Sequence, residues 1–388
     1  MQFLLTGARL FTGEFILEDH ALLIDDGRIV DLLPSTALPQ GTPETRLPER
    51  TLLAPGFIDM QVNGGGGVLF NATPTVEGAL AIARAHRQFG TTALVPTVIT
   101  DAPEVLFAAA DAAAGAAVIP DSGVVGVHIE GPFLNPERKG AHPAEFLRRP
   151  DAALIDRFAS LPAQFGPAFR VMLTLAPEIM EDADIMRLAA AGVILMGGHS
   201  GAGLERTQAA IAAGLHGFTH LFNAMPPLGN REPGIALAAM TDPSTVCGII
   251  ADGIHVHPAL LRLALANKPP GHVVLVTDAM PPTGTDADSF MLLGRRIRRA
   301  EGRLVLEDGT LAGADIDMAH CVRNAVSLLG VAPEEALRMA SLYPARFLRL
   351  DHARGRLAPG YRADLVALDE QLAVQSVWLG GVPHHQRR

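Results

Sequence analysis

The chain has 388 residues, 48% of them hydrophobic and 19% charged, and a formal net charge of −10. That length supports one large domain plus a smaller one around a sizeable core, and the composition excludes a disordered or fibrous chain. The negative charge argues against sequence-independent nucleic-acid binding, which needs a basic face to displace counterions, although a local Arg or His cluster can still receive an anion. Cys247 and Cys321 are the two cysteines; their separation excludes a disulfide framework and makes a reducing compartment the simplest reading. Residues 1–9 carry no basic leader, and no sustained apolar run follows. The expected location is cytoplasmic, with no membrane partner.

The first fifty residues read as short strands, with segments 21–24 and 28–33 flanking the turn Asp26-Gly27. Residues 35–50, rich in Pro and Thr, are expected to form an irregular connection. The rhythm then changes. Short β-branched runs at 57–62, 92–98, 124–129, 170–175, 193–196, 217–221, 246–250 and 273–276 alternate with Ala-rich stretches such as 76–88, 103–114, 183–191, 204–213 and 258–266. Eight strands with crossover helices predict an α/β fold, a (β/α)8 TIM barrel. Residues 290–306 alternate around 299–302, which predicts a β-hairpin insertion near 288–312, followed by a helix at 318–329. The C-terminal segments 363–368 and 376–379 are again strand-like, with turns at Pro359-Gly360 and Gly380-Gly381. The domain expectation is a barrel over 54–351 and a small β-sandwich domain built from both chain termini, 1–53 plus 352–388.

Polar residues fall where buried strands do not need them. Gln61 and Asn63 follow the first strand, Glu130 the third, Glu178 the fourth and His199 the fifth. His220 and Asn223 follow the sixth, Asp252 and His255 the seventh, and Asp278 the eighth. In a barrel of this type these positions share the C-terminal rim, where active sites lie. Any one of them alone is more often a hydrogen-bonded surface histidine or a turn residue. Their coincidence on one rim points to a site. Two imidazoles and a carboxylate suit a divalent metal with an open position for water, and Glu130, His199 and His220 are the best such set. Asp278 suits the general base that takes the water proton and then, as acid, protonates a leaving amine. The chemistry read from these residues is metal-assisted hydrolysis of an amide or related carbonyl compound.

The segments Ala54-Pro55-Gly56-Phe57-Ile58-Asp59 and His128-Ile129-Glu130-Gly131-Pro132-Phe133-Leu134-Asn135 carry a resemblance that can be named. So do Lys139-Gly140-Ala141-His142, Gly198-His199-Ser200 and Thr219-His220-Leu221-Phe222-Asn223-Ala224-Met225. Arg231-Glu232-Pro233-Gly234, Ala251-Asp252-Gly253-Ile254-His255 and Val276-Thr277-Asp278-Ala279 complete an ordered series across the barrel. The series resembles the N-acetylglucosamine-6-phosphate deacetylase family of the amidohydrolase superfamily, whose split small domain the two termini also match. The resemblance implies Glu130, His199 and His220 as metal ligands, Asp278 as catalytic acid/base, and His142 as the group that polarises the acetyl carbonyl. It also implies that Asn223, the Ala224 backbone and His255 hold the sugar phosphate. Arg231, by itself an ordinary loop arginine, is implied to reach a neighbour's phosphate across a homodimer interface. Gln61-Val62-Asn63 stands where many amidohydrolases carry His-x-His for a second metal; carboxamides are weak zinc ligands, so one divalent ion per subunit is expected, zinc or ferrous iron. Ala314 and Asp317, on a segment expected near the substrate end, depart from the Ser and Thr usual in this family, which puts fine specificity, not the reaction class, in question.

The implied reaction is hydrolysis of N-acetylglucosamine 6-phosphate to glucosamine 6-phosphate and acetate. The galactosamine epimer and another amidohydrolase reaction are the rivals within the class. From a different class, a non-catalytic scaffold would typically have lost a metal ligand or the last-strand Asp, and this chain keeps them all.

Overall fold

A computed structural model describes residues 2–386. Its centre is an eight-stranded parallel sheet rolled into a barrel: β1 (Phe57–Val62), β2 (Thr91–Ile99), β3 (Gly126–Glu130), β4 (Arg170–Leu175), β5 (Ile194–Gly197), β6 (Gly217–Phe218), β7 (Val246–Ile249) and β8 (Val273–Leu275). Every strand pairs with the next in sequence. Because β8 is only three residues long, closure onto β1 falls to the chain beyond it. Val62 bridges Ala279, Asp278 N–H donates to Gln61 O (2.9 Å), and Asn63 N–H to Ala279 O (2.9 Å). The closing seam thus runs through the residues expected to carry chemistry.

The strands form because β-branched and aliphatic side chains fill both faces, inward against one another and outward against the helices, so near-continuous apolar runs replace alternation. β1, β2 and β3 are buried at every position. Helices start where a polar side chain can take an orphan N–H. Thr75 caps Val76–Arg87, Asp151 caps Ala152–Phe165, and Asp317 caps Met318–Leu329, which ends on left-handed Gly330. Among the described residues no helix is long and apolar enough to cross a membrane.

Two further sheets lie outside the barrel, the first built from the N-terminal segment and the second from both termini. One holds Glu44–Arg46, Phe3–Thr6, His20–Asp25 and Arg28–Pro34; the other joins Ile16–Leu17, Arg9–Phe11 and Leu52–Pro55 to Leu365–Leu368, Val374–Leu379 and Val382–Gln386. Leu5, Leu22, Ile24, Leu53, Leu365 and Trp378 pack between them, so the small domain is a β-sandwich closed by both ends of the chain.

Two expectations need correction. The connection 35–50 is not wholly irregular: Glu44–Arg46 pairs in parallel with Phe3–Thr6, and three exposed polar residues give no apolar signal from which to read a strand. The insertion is a four-stranded antiparallel sheet, Ser289–Leu292, Arg295–Ala300, Arg303–Val305 and Leu311–Ala314, rather than one hairpin. The turn at Glu301-Gly302 lies inside the predicted region, but Leu293-Gly294 is a second tight turn hidden in an apolar run, and residues 306–310 make a third. The inner face of this sheet, Leu292, Ile297, Leu304 and Ala312, packs on Leu69, Ile99 and Met280 beside the barrel mouth.

Candidate active site

A cavity of about 350 Å³ opens at the C-terminal rim. Its floor holds Glu130 from the end of β3, His199 from the turn after β5, His220 from the turn after β6, and Asp278 from the turn after β8. Glu130 Oε1 lies 3.1 Å from His199 Nε2 and 3.0 Å from His220 Nε2, and the two nitrogens are 3.1 Å apart. Three ligand atoms about 3 Å from one another form the edges expected around one ion with bonds of roughly 2 Å. They are also the one buried group of three or more His, Cys, Asp or Glu, among the described residues, with converging ligand atoms. His199 Nδ1 lies 2.9 Å from Arg138 O, to which it donates, so Nε2 is the nitrogen that would offer its lone pair to an ion.

The electrostatics match this grouping. Burial alone would raise the Glu130 carboxyl, but hydrogen bonds from His199 and His220 hold it well below the ordinary carboxylate range. Burial opposes protonation of His220, yet Glu130 and then Asp278 raise it overall. These residues fit a divalent cation, whose charge would replace those protons.

Asp278 is treated differently. Asn63 Nδ2 (2.7 Å) and Gln61 Nε2 (3.2 Å) both donate to its Oδ1, while Gln61 also reaches Glu130 Oε2 at 3.3 Å. Burial, then the charge of Glu130, pushes the Asp278 carboxyl up to about 6, above its usual range. Both carboxamides therefore bind carboxylates, with Asn63 at the cavity and Gln61 buried beneath it.

His142 sits on the opposite side, its ring centroid 4.4 Å from that of His199. Its Nδ1 is 3.3 Å from Thr100 N and 2.8 Å from the Thr100 hydroxyl. A backbone N–H can only donate, so Nδ1 accepts and the ring proton belongs on Nε2. Burial and the neighbouring His199 hold this imidazole well below its usual protonation range, so it is neutral. Thr100, after β2, carries no sequence signal that separates it from an ordinary strand residue, and Asp59, buried in β1, stands out only as part of the segment 54–59 that carries the family resemblance. Asp59 accepts from the Thr277 hydroxyl (2.5 Å) and thereby anchors the residue before Asp278.

The far wall holds Asn223, Ala224 and His255. Asp252 orients His255 through a 2.6 Å contact to Nδ1 and accepts from the His255 and Ile254 N–H groups. Arg231 is exposed and does not line the cavity of its own chain. Glu178 also stands off the cavity, bonded to Asn135, Ser200 and Gly201. Leu311, Ala312 and Gly313 do line it, whereas Ala314 is buried behind them and Asp317 caps a helix and pairs with His320. The segment expected near the substrate end thus reaches the cavity through Leu311, Ala312 and Gly313, while the two residues that depart from the family pattern make no direct wall of it.

Backbone strain concentrates here. His199, His220, Phe222, Ala224 and Asp278 have φ of +48°, +29°, +76°, +51° and +52°. Non-glycine residues in this region cost of order 1–3 kcal/mol each and persist where surrounding structure over-determines them.

Comparison with known proteins gives a consistent placement. The amidohydrolase family model matches residues 52–383, and the NagA composite domain matches residues 2–48. N-acetylgalactosamine-6-phosphate deacetylase of Shewanella sp. (strain ANA-3) is 43% identical over 378 residues, covering 97% of this chain and 94% of the relative. Human N-acetylglucosamine-6-phosphate deacetylase is 38% identical over 381 residues, with 95% and 89% coverage. Among solved structures, a mutant N-acetyl-D-glucosamine-6-phosphate deacetylase from Mycobacterium smegmatis in complex with N-acetyl-D-glucosamine-6-phosphate superposes with a TM-score of 0.90 at 34% identity, covering 99% of each chain.

Proposed function

The chain belongs to the amidohydrolase family, and from that premise we propose that it deacetylates N-acetylglucosamine 6-phosphate to glucosamine 6-phosphate and acetate. The observation that carries this reading is the meeting of Glu130, His199 and His220 at separations of 3.0–3.1 Å on the rim that also holds Asp278 and His142. The three would hold one divalent ion, zinc or ferrous iron. When bound, such an ion supplies a Lewis acid for the acetyl carbonyl and lets a water ionise near neutral pH. Asp278 takes the proton of the attacking water. Both amide donors use its Oδ1, so Oδ2 is the oxygen left for that proton. The water oxygen bonds to the carbonyl carbon, and Asp278 returns the proton to nitrogen as the C–N bond breaks. His142 donates from Nε2 to the carbonyl oxygen as negative charge grows on it.

Asn223, the Ala224 backbone and His255 take the sugar-phosphate end, across the barrel from His142. Arg231, exposed on its own subunit, completes the phosphate site of a second copy in a homodimer. Two buried, unpaired cysteines agree with residence in the cytoplasm. The galacto epimer is the second reading, favoured by the 43% identity to an N-acetylgalactosamine-6-phosphate deacetylase. Steady-state kinetics against both 6-phosphates and against unphosphorylated N-acetylglucosamine, with metal measured on the same sample, decide between them. Acetate release from neither phosphate would end the proposal, and a preference for the galacto compound would move it to the epimer.

A further inference from the structure

Glu178 lies in the turn Pro177–Ile179 after β4, one strand away from any residue assigned to metal or substrate. Its two oxygens are nonetheless engaged three times. Oε1 accepts from Asn135 Nδ2 (2.8 Å) and Gly201 N–H (2.6 Å), and Oε2 accepts from the Ser200 hydroxyl (2.6 Å). The three donors flank His199 from two directions. Ser200 and Gly201 follow it in sequence. Asn135 belongs to the loop after β3, and its N–H donates to His199 O at 3.0 Å.

The Asn135 side chain continues the path. Its Oδ1 accepts from Glu137 N–H at 2.8 Å and caps the single turn Pro136–Arg138. Arg138 then presents the carbonyl that receives His199 Nδ1 at 2.9 Å. One carboxylate after β4 thus grips both the loop that carries His199 and the loop that orients its imidazole. The packing is close: a Cβ on Gly201 would lie 3.1 Å from Asn135 Nδ2 and 3.7 Å from Glu178 Oε1. His199 needs such a grip because its backbone is left-handed, at φ +48°, without being glycine.

We infer that Glu178 is a positioning residue for metal retention, fixing His199 through a clamp between the β3 and β5 loops. The inference rests on the reading of His199 as a metal ligand. Outer contacts that orient a ligating histidine are commonly worth about 10–100-fold in metal affinity. Loss of Glu178 should therefore speed metal release without removing any ligand. Glutamine should preserve the clamp, since its carbonyl oxygen can take the Asn135 and Gly201 donors while its NH2 donates to the Ser200 oxygen.

The test measures release of zinc from the loaded enzyme to a colorimetric chelator, together with the melting temperature of the metal-free protein. Glu178→Ala should release zinc about 10–100 times faster than wild type, with the melting temperature of the metal-free form little changed. Glu178→Gln should stay near wild type, and Asn135→Ala and Ser200→Ala should fall between. Wild-type release from Glu178→Ala overturns the inference, as do equal defects in Glu178→Ala and Glu178→Gln. Destabilisation of the metal-free forms in step with release rate would make the residue a general packing element, which also overturns it. Should Glu178→Ala fail to fold, Asn135→Ala and Ser200→Ala decide, and wild-type release from both counts against the clamp. His199→Ala runs alongside: full zinc content there defeats the ligand reading itself, separately from the clamp.

Discussion

Replacing Asp278 by Asn tests the proposed chemistry most directly, because the structure dictates how the amide must sit. Asn63 Nδ2 and Gln61 Nε2 both donate to Oδ1. The new amide oxygen has to occupy that place, which puts its NH2 group where Oδ2 was. The proton acceptor becomes a donor while size and shape are kept. Loss of one general acid–base group costs roughly 10²–10⁴ in rate, or about 3–5 kcal/mol of barrier, and Asp278 serves both proton transfers. Acetate release should fall by at least that factor, with metal content unchanged. Folding should not suffer. A carboxyl raised to about 6 by burial and Glu130 costs stability when ionised, so above that pH the metal-free variant should melt no lower than wild type. The pH profile adds a second readout. The base works ionised, so wild-type activity is lost as pH falls through the Asp278 pKa, at or below about 6 once a cation offsets the charge of Glu130. Residual activity of the variant should lack that acid limb. Near wild-type turnover in a metal-replete Asp278→Asn enzyme would refute the assignment.

Arg231→Ala should raise KM for the 6-phosphate far more than for unphosphorylated N-acetylglucosamine, since a charge-assisted contact contributes only when its anion is present; equal effects on both substrates would make Arg231 structural. Mixed dimers of Arg231→Ala with Asp278→Asn should recover one working site, in the subunit that keeps Asp278 and borrows an intact arginine, and verified mixed dimers without recovery would count against sharing. Metal analysis after removal of loosely bound ions should approach one equivalent per subunit, because Gln61 and Asn63 point amide N–H groups at carboxylates; two tight equivalents, both needed for turnover, would overturn this. Asp59, pushed up to about 7 chiefly by burial, should add a stability component that is full below about pH 4 and lost as pH rises through 7, worth roughly 4 kcal/mol for about three pKa units. Asp59→Asn should flatten that slope in melting temperature against pH, and an unchanged slope would show that Asp59 does not titrate there.

The barrel is legible in the sequence because its strands must be buried on both faces, which writes them as apolar runs, and because a polar residue at the end of such a run has no packing reason to be there. Glu130, His199, His220 and Asp278 stand out on that ground, and the structure brings all four to one cavity floor. The helix Ala152–Phe165 is harder to read, since Pro162 lies inside it and signals a break. Thr100 is inconspicuous because a threonine after a strand is common, and the segment that holds Asp59, inside β1, marks a family without saying what that carboxylate does. Their importance lies in what they touch, His142 and Thr277, 42 and 218 residues further along the chain. Contacts of that range leave no trace in local periodicity. The four-stranded insertion sheet looks like a single hairpin for a different reason: the Leu293-Gly294 turn sits in an apolar run, and the turn at 306–310 lies at the edge of the predicted region.

Strain explains why those site residues look misplaced to a sequence reader. A strand that ended in glycine could turn left-handed at no cost, and Gly198 stands directly before His199. The chain instead puts histidine, histidine and aspartate themselves at φ of +48°, +29° and +52°, where each side chain leaves the rim toward the centre rather than toward solvent. At roughly 1–3 kcal/mol for each strained residue, the three together cost several kcal/mol. The hydrogen bonds that hold them are therefore not incidental: Asp278 N–H to Gln61 O, His199 O from Asn135 N–H, and Asn223 N–H to His220 O all restrain the strained residue itself. A metal that binds both histidines at once offsets part of the same cost. The metal-free protein should accordingly loosen first at the turns after β5 and β6, where hydrogen exchange of the Ser200 and Leu221 amides would slow on metal addition if this coupling holds, and would be unchanged if the turns are set by packing alone.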